Sequence, residues 1–206
     1  MFSAAILIGG NATRFDGRDK SALLVDGRTI LSRQLAALAA VAPDDEMDVM
    51  LVGGSPKHDL PRVRHVADVV PGRGPLGGVQ AALAAARGPA TLMLACDMPF
   101  VTAPLVRHLF SLAGAAARTA EGADVVVPRT ERGYHPLCAV YTRACLEPAA
   151  RRLARGELKL TGLFDEVRVR VVTTEALAAF GDPDRLLANV NTSTEYHAIE
   201  VNGMQS

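Results

Sequence analysis

The chain carries no excess of either charge: 22 Lys and Arg stand against 22 Asp and Glu in 206 residues. Without a net field to draw in nucleic acid or an anionic membrane surface, any anionic ligand must be held by a local site. Paired cysteines are lacking too. Cys96, Cys138 and Cys145 are odd in number and form no Cys-x-x-Cys spacing, which argues against a disulfide framework and a zinc site and fits a reducing compartment. No uninterrupted apolar run approaches the roughly 18 residues that span a bilayer. Met1 leads into the apolar residues 4–8 with no basic leader. The expectation is a soluble, cytoplasmic protein that engages neither nucleic acid nor membrane.

Several common signatures are missing as well. Lys20-Ser21 is preceded by Asp19, with no glycine where a P-loop would begin, and Gly9-Gly10-Asn11 does not supply the G-x-G-x-x-G of a dinucleotide site. No H-E-x-x-H spacing exists, and His58, His65 and His108 read as surface or loop residues. No internal repeat or low-complexity block stands out.

What is present is a chain of one-domain length, able to bury roughly 70% of its unfolded surface, so residues 1–206 are expected to form a single α/β domain. Short apolar runs bounded by Gly, Pro or Asp predict strands over residues 4–8, 49–52, 91–95, 125–127 and 167–172. Helical spacing marks residues 30–40, 79–86, 105–113 and 144–153. Residues 113–122 read as the most mobile connection. A Thr-x-x-Glu capping box at Thr192 and Glu195 predicts a last helix just after Asn189 and Asn191. Strands alternating with helices favour a mostly parallel sheet covered on both faces. Ligands then gather at the carboxyl ends of the strands, which directs attention to the loops after Ile8, Val52 and Ala95.

Three segments carry chemistry. After the first strand, Gly9 and Gly10 let backbone N–H groups approach a phosphate chain, and Arg14 and Lys20 can neutralise it; the bland alternative is a flexible loop with two solvated cations. Residues 68–78, DVVPGRGPLGG, pack Gly and Pro ahead of an Ala-rich helix, a loop of fixed shape that can lie against a base or point a helix N-terminus at an anion. Tight helix packing at Gly77 and Gly78 is an equally good explanation. At residues 92–100, LMLACDMPF, a strand delivers Asp97 at its carboxyl end and Pro99 stops it, the way many α/β enzymes present a carboxylate to a phosphate-bound Mg²⁺. Asp97 could instead cap the following helix, though Thr102 is available for that. Cys96 reads as a small buried residue rather than a nucleophile. His135 opens a strand at a loop that could meet a second substrate, but a satisfied structural histidine is the more economical reading.

Taken together, LIGGNATRFDGRDKSALLVDGR, DVVPGRGPLGG, ACDMPF, HPLCAVY and NVNTSTEY, in this order over nearly the whole chain, resemble the molybdenum cofactor guanylyltransferases. The resemblance implies a Rossmann-like nucleotidyltransferase fold and Mg²⁺-dependent transfer of GMP from GTP to the terminal phosphate of molybdopterin or molybdenum-molybdopterin. It implies GTP contacts from Leu7, Ile8, Gly9, Gly10, Lys20, Gly53, Asp68, Pro75, Leu76 and Asp97, with Lys20, Arg14 and Asp97 catalytic and Asp97 holding Mg²⁺. Asn189, Asn191, His135 and Gly78 fall on the acceptor side. Proteins that deliver the cofactor and molybdoenzymes that receive it are the implied macromolecular partners. Departures from the family pattern are Ile8 in place of Ala, Phe15-Asp16-Gly17 in place of Met-Gly-Gly, and Gly53 where some members offer asparagine.

Two other readings compete. A cytidylyltransferase acting on the same pterin or another phosphorylated acceptor typically starts with a Leu-Ala-Ala-Gly type loop, whereas this chain has Gly9-Gly10. A non-catalytic GTP- or cofactor-binding module would have less need of Asp97, Lys20 and Arg14 together.

Overall fold

The structure, a computed structural model, describes residues 1–8, 22–42, 46–54, 60–67, 72–116 and 122–190. Its centre is a sheet of short strands whose interior members are apolar runs. Strand β1 (Phe2–Leu7) pairs in parallel with β4 (Met47–Val52) on one side and β6 (Ala90–Ala95) on the other. Strand β5 (Val63–Val66) closes the β4 edge in parallel. Beyond β6 lie β9 (Cys138–Thr142), antiparallel to it, then β7 (Val125–Thr130) and β10 (Val169–Val172), a parallel pair. The order is β10-β7-β9-β6-β1-β4-β5, with the two-residue β8 (Gly133–Tyr134) hung on β7.

The mostly parallel sheet therefore appears as expected, with one reversal. Only residues 131–137 connect β7 to β9, too few for the dozen or more that a parallel crossover needs, so β9 must run antiparallel. An apolar run carries no sign of direction.

Alternation along each strand sends side chains to two separate cores. Ala4, Ile6, Leu51, Leu92, Leu94, Val126 and Val140 face one side, where they meet Leu38 of α1 (Ile30–Ala39) and Leu105, Val106 and Leu109 of α3 (Ala103–Ala116). Ala5, Leu7, Met50, Val52, Met93, Val125 and Tyr141 face the other, against Leu76, Val79 and Leu83 of α2 (Gly74–Ala85) and Ala149 of α4 (Leu146–Ala154). At roughly 1.5–3 kcal/mol per fully buried large apolar side chain, these two layers supply most of the driving force. Two short helices, α5 (Thr174–Leu177) and α6 (Pro183–Leu186), follow β10. Among the described residues no helix is long and apolar enough to cross a membrane.

Several boundaries move. Helix α3 runs to Ala116, into the stretch read as a mobile connection, and residues 117–121 of that stretch lie outside the described residues. Strand β10 starts at Val169 rather than 167, and α4 is preceded by a 3-10 turn over Arg143–Cys145. A hairpin, β2 (Leu24–Val25) with β3 (Arg28–Thr29), precedes α1. Its turn is Asp26-Gly27, both at positive φ (50° and 72°), the geometry that tight Asp-Gly hairpins need. The Thr29 side chain then caps α1 by accepting from the Ser32 amide.

A buried polar network ties the amino end of β1 to its neighbours. Asp48 accepts two bonds from the Arg64 guanidinium, both 2.7 Å, one from the Arg87 amide and one from the Ser3 hydroxyl. Ser3 in turn accepts from the Gly88 amide at 2.9 Å. A Cβ on Gly88 would lie 2.9 Å from the Met1 carbonyl oxygen, so the chain after α2 crosses there as glycine. Burial pushes the Asp48 carboxyl up, but the Arg64 and Arg87 bonds outweigh it and leave the group below its ordinary value near 3.8. A depressed carboxylate stabilises the fold above its unfolded pKa and loses that contribution as pH falls through the folded one. Asp48→Asn should cost about 2 kcal/mol, the scale of a charged hydrogen bond left half made, or about 5 °C in Tm for a chain of this length. Thermal unfolding at pH 7 and pH 3 checks this, since the gap to wild type should narrow in acid.

Candidate active site

Because β1 lies between β4 and β6 in one register, Leu7 sits opposite both Val52 and Ala95. The three strand ends emerge side by side. The Ile8 amide donates to Val52 O at 2.9 Å, the Cys96 amide to Leu7 O at 3.3 Å, and the Gly53 amide to Val66 O at 2.9 Å. Leu7, Ile8, Gly53 and Asp97 thus share one end of the sheet, the end singled out by the strand order. Gly53 and Gly54 have φ of 79° and 62°, and a Cβ on Gly54 would lie 3.2 Å from Ile8 O. A left-handed backbone accounts for glycine at 53 and 54.

Asp97 is buried, 6% exposed, in a turn between β6 and α3. Helix α3 begins only at Ala103, which puts Asp97 too far upstream to cap it. The Thr102 hydroxyl does not cap it either, having no hydrogen bond among the described residues. The turn is instead held from outside. Gln34 of α1 donates through Nε2 to Ala95 O (2.7 Å) and Met98 O (3.1 Å), and Arg33 donates through Nε to Pro99 O (3.1 Å). Asp97 O itself accepts from the Val190 amide at 2.9 Å. That last bond brings the Asn189 segment, distant in sequence, against the Asp97 turn, with Asn189 exposed and Val190 buried beside Phe100 and Ile30. Arg33 and Gln34 belong to no motif, and a pattern search along the sequence has nothing to find them by.

Gly9, Gly10, Arg14, Lys20, Asp68 and Asn191 lie outside the described residues, as does the capping box at Thr192. For Pro75, Leu76 and Gly78 the loop reading is corrected. They belong to the first turns of α2, which starts at Gly74 rather than 79, with Pro75 at the helix start where its fixed φ and missing N–H are favourable. The Leu76 side chain is fully buried in the core and presents nothing to a ligand. Gly77 has a packing reason to be glycine: a Cβ there would lie 2.8 Å from Arg73 Cβ, and Arg73 reaches across to Leu153 O at the end of α4.

His135 sits between β8 and β9 rather than opening a strand, and its ring Nε2 is 2.9 Å from the Thr130 hydroxyl. The segment after it reaches the strand ends, since the Ala95 amide donates to Leu137 O and the Tyr141 hydroxyl to Pro136 O. Cys96, Cys138 and Cys145 are buried and in no disulfide, and burial pushes Cys138 and Cys145 up to about 12, out of nucleophilic range. A cavity of about 380 Å³ opens beside residues 99–102, lined by Arg28, Arg33, Phe100 and Arg185 among others. Asp97 is not among its described lining residues.

A mostly parallel α/β sheet that delivers a buried carboxylate at a central strand end has the general form of a nucleotide site. Solved structures share the fold: molybdopterin-guanine dinucleotide biosynthesis protein A from Archaeoglobus fulgidus superposes with a TM-score of 0.77 over 99% of this chain and 100% of that one, at 21% identity. The 2-C-methyl-D-erythritol 4-phosphate cytidylyltransferase from Thermus thermophilus gives 0.65 over 98% of each, at 20% identity. The family model for the MobA-like NTP transferase domain matches residues 4–190, and the chain belongs to that family. Among its relatives, the molybdenum cofactor guanylyltransferase of Desulfosudis oleivorans is 32% identical over 95% of this chain and 92% of its own length. The probable molybdenum cofactor guanylyltransferase of Pelotomaculum thermopropionicum is 34% identical over 94% and 89%.

Burial, and secondarily the charge of Arg132, hold the His135 imidazole below its ordinary 6.5, against a smaller opposing pull from Asp184. The ring is then neutral at pH 7, and folding disfavours its protonation, so stability should fall as pH drops below about 6.5. An NMR titration should place its midpoint below that value, and His135→Gln should flatten the Tm decline between pH 7 and 5.

Proposed function

We propose that this chain transfers GMP from GTP to the terminal phosphate of molybdopterin or molybdenum-molybdopterin, releasing pyrophosphate. The observation that carries the reading is the hydrogen bond from the Val190 amide to the Asp97 carbonyl. It joins the segment whose motif resembles a metal and nucleotide site to the one that resembles an acceptor site. Two relatives above 30% identity, matched over almost the full chain, carry guanylyltransferase names and support the same reaction.

The acceptor phosphate is already an anion, so it can attack the α-phosphorus without a general base, and the barrier is charge repulsion and alignment. Lys20 and Arg14 are assigned to neutralise the triphosphate and the departing pyrophosphate, and Gly9 and Gly10 to meet it with backbone amides. Asp68 is assigned to the nucleotide, and Asn189 and Asn191 to the pterin side.

Mg²⁺ fits the donor set. Asp97 is a hard, buried carboxylate at a strand end, and Mg²⁺ needs only one or two such ligands when phosphates and water complete its shell. Among the described residues no group of three or more His, Cys, Asp or Glu side chains converges, so a cation at Asp97 would draw on the nucleotide. When bound it would supply charge neutralisation at the phosphates. Buried cysteines in no disulfide agree with a cytoplasmic, reducing location.

Base preference tests the reaction. Calorimetry with Mg²⁺ present should find GTP binding at least about tenfold tighter than CTP or ATP, a difference of about 1.4 kcal/mol. Equal or tighter CTP binding would overturn guanylyl transfer in favour of a cytidylyltransferase. Asp97→Asn removes charge while keeping shape. Pyrophosphate release should fall by about 10²-fold or more, with Tm nearly unchanged because Asp97 caps no helix; near-normal turnover at low Mg²⁺ removes Asp97 from the mechanism.

A further inference from the structure

We infer that Arg33 and Gln34, consecutive residues of α1, are positioning residues that set the Asp97 carboxylate at the end of the sheet; the inference rests on the reading of Asp97 as the metal ligand. Gln34 occupies the core stripe of α1, one turn from Ile30 and one from Leu38, and is 1% exposed. At such a position an apolar side chain is the ordinary choice. Core packing gives no reason for an amide whose Oε1 has no hydrogen-bond partner among the described residues. The reason lies in Nε2, which donates to the carbonyls of Ala95 and Met98 and so grips the turn on both sides of Asp97.

Arg33 extends the grip. Its Nε holds Pro99 O, while Nη1 donates to Val25 O (3.2 Å) and Asp26 Oδ2 (3.1 Å), and the guanidinium lies over the Phe100 ring, 5.6 Å from its centre. Val25 and Asp26 belong to the β2–β3 hairpin, which starts at Leu24, separated by two residues from the stretch 9–21 that contains Arg14 and Lys20. One helix end thus ties the segment leaving the phosphate loop to the turn bearing the carboxylate. With Val190 on Asp97 O, the carbonyls of residues 95, 97, 98 and 99 are all engaged from outside the turn. A turn so held meets its ligand already shaped, which is where the precision of a metal carboxylate comes from.

Gln34→Met keeps the length and apolar stem of the side chain and removes both donors. GTP binding is measured by calorimetry in EDTA and across a Mg²⁺ titration, with pyrophosphate release and Tm on the same samples. The Mg²⁺ concentration for half-maximal activity and for enhanced GTP binding should rise by about tenfold, as for other residues that orient a metal ligand. Metal-free GTP affinity should stay within about twofold, and excess Mg²⁺ should restore part of the lost turnover. Arg33→Met should shift the Mg²⁺ dependence in the same direction, and it carries the test if Gln34→Met does not fold. A lowered Tm with wild-type Mg²⁺ dependence overturns the inference, because a merely structural glutamine gives that result. Asp97→Asn run in parallel separates the two levels. If it alters the Mg²⁺ dependence and the α1 variants do not, only the positioning role fails; if it too matches wild type, the metal reading of Asp97 fails and this inference with it.

Discussion

Everything at the site depends on β1 lying in parallel between β4 and β6 with Leu7 level with both Val52 and Ala95. That register is doubly enforced. A shift of one residue would turn Ile6 and Leu7 to the wrong cores, since alternate side chains serve opposite faces. It would also carry Ser3 away from Asp48 and Gly88 at the other end of the sheet. Apolar alternation along the strands and a buried charged network at their base therefore fix the height at which three loops leave the sheet.

From there the site is built by backbone carbonyls more than by side chains. The Asp97 turn has no regular structure of its own and owes its shape to donors from α1 and from residue 190. This division suits the chemistry. Stability resides in two apolar layers that need only volume and pattern, while the carboxylate is placed by directional bonds that specify position to a fraction of an ångström. The small cluster of Leu23, Val25, Ile30, Phe100 and Val190 joins the same three segments from the apolar side, so the hairpin, the turn and the 190 segment are linked twice over.

Much of the framework is legible from residues in order. The apolar runs at residues 4–8, 49–52 and 91–95 form β1, β4 and β6, and Gly53 and Asp97 after them stand at one sheet end as strand order requires. Asp26-Gly27 carries a hairpin signal that a search for apolar runs passes over. Strand β5 escapes the same search for a good reason: Val63–Val66 includes Arg64 and an exposed His65 on an edge, and shows no apolar run. The start of α2 is displaced in a sequence reading because Gly and Pro suggest a loop, whereas Pro75 favours a helix start and Gly77 is required by the closeness of Arg73.

By itself the sequence determined β1, β4, β6, β7, β10 and the bodies of the helices that cover them, the family, and the naming of Asp97, Gly53 and Asn189 as candidates, because periodicity and motif are properties of neighbours in the chain; β9, whose residues 138–141 are buried, and β5 were not read from it. Only the tertiary structure decided that β9 runs antiparallel, that Leu76 is core and Asp97 caps no helix, and that Arg33, Gln34 and Val190 hold the Asp97 turn. Gln34 meets Ala95 across 61 positions, and Val190 meets Asp97 from the far end of the described chain, through hydrogen bonds that no local pattern encodes. Such contacts exist only once the sheet has closed and brought α1 and the 190 segment to the same strand end.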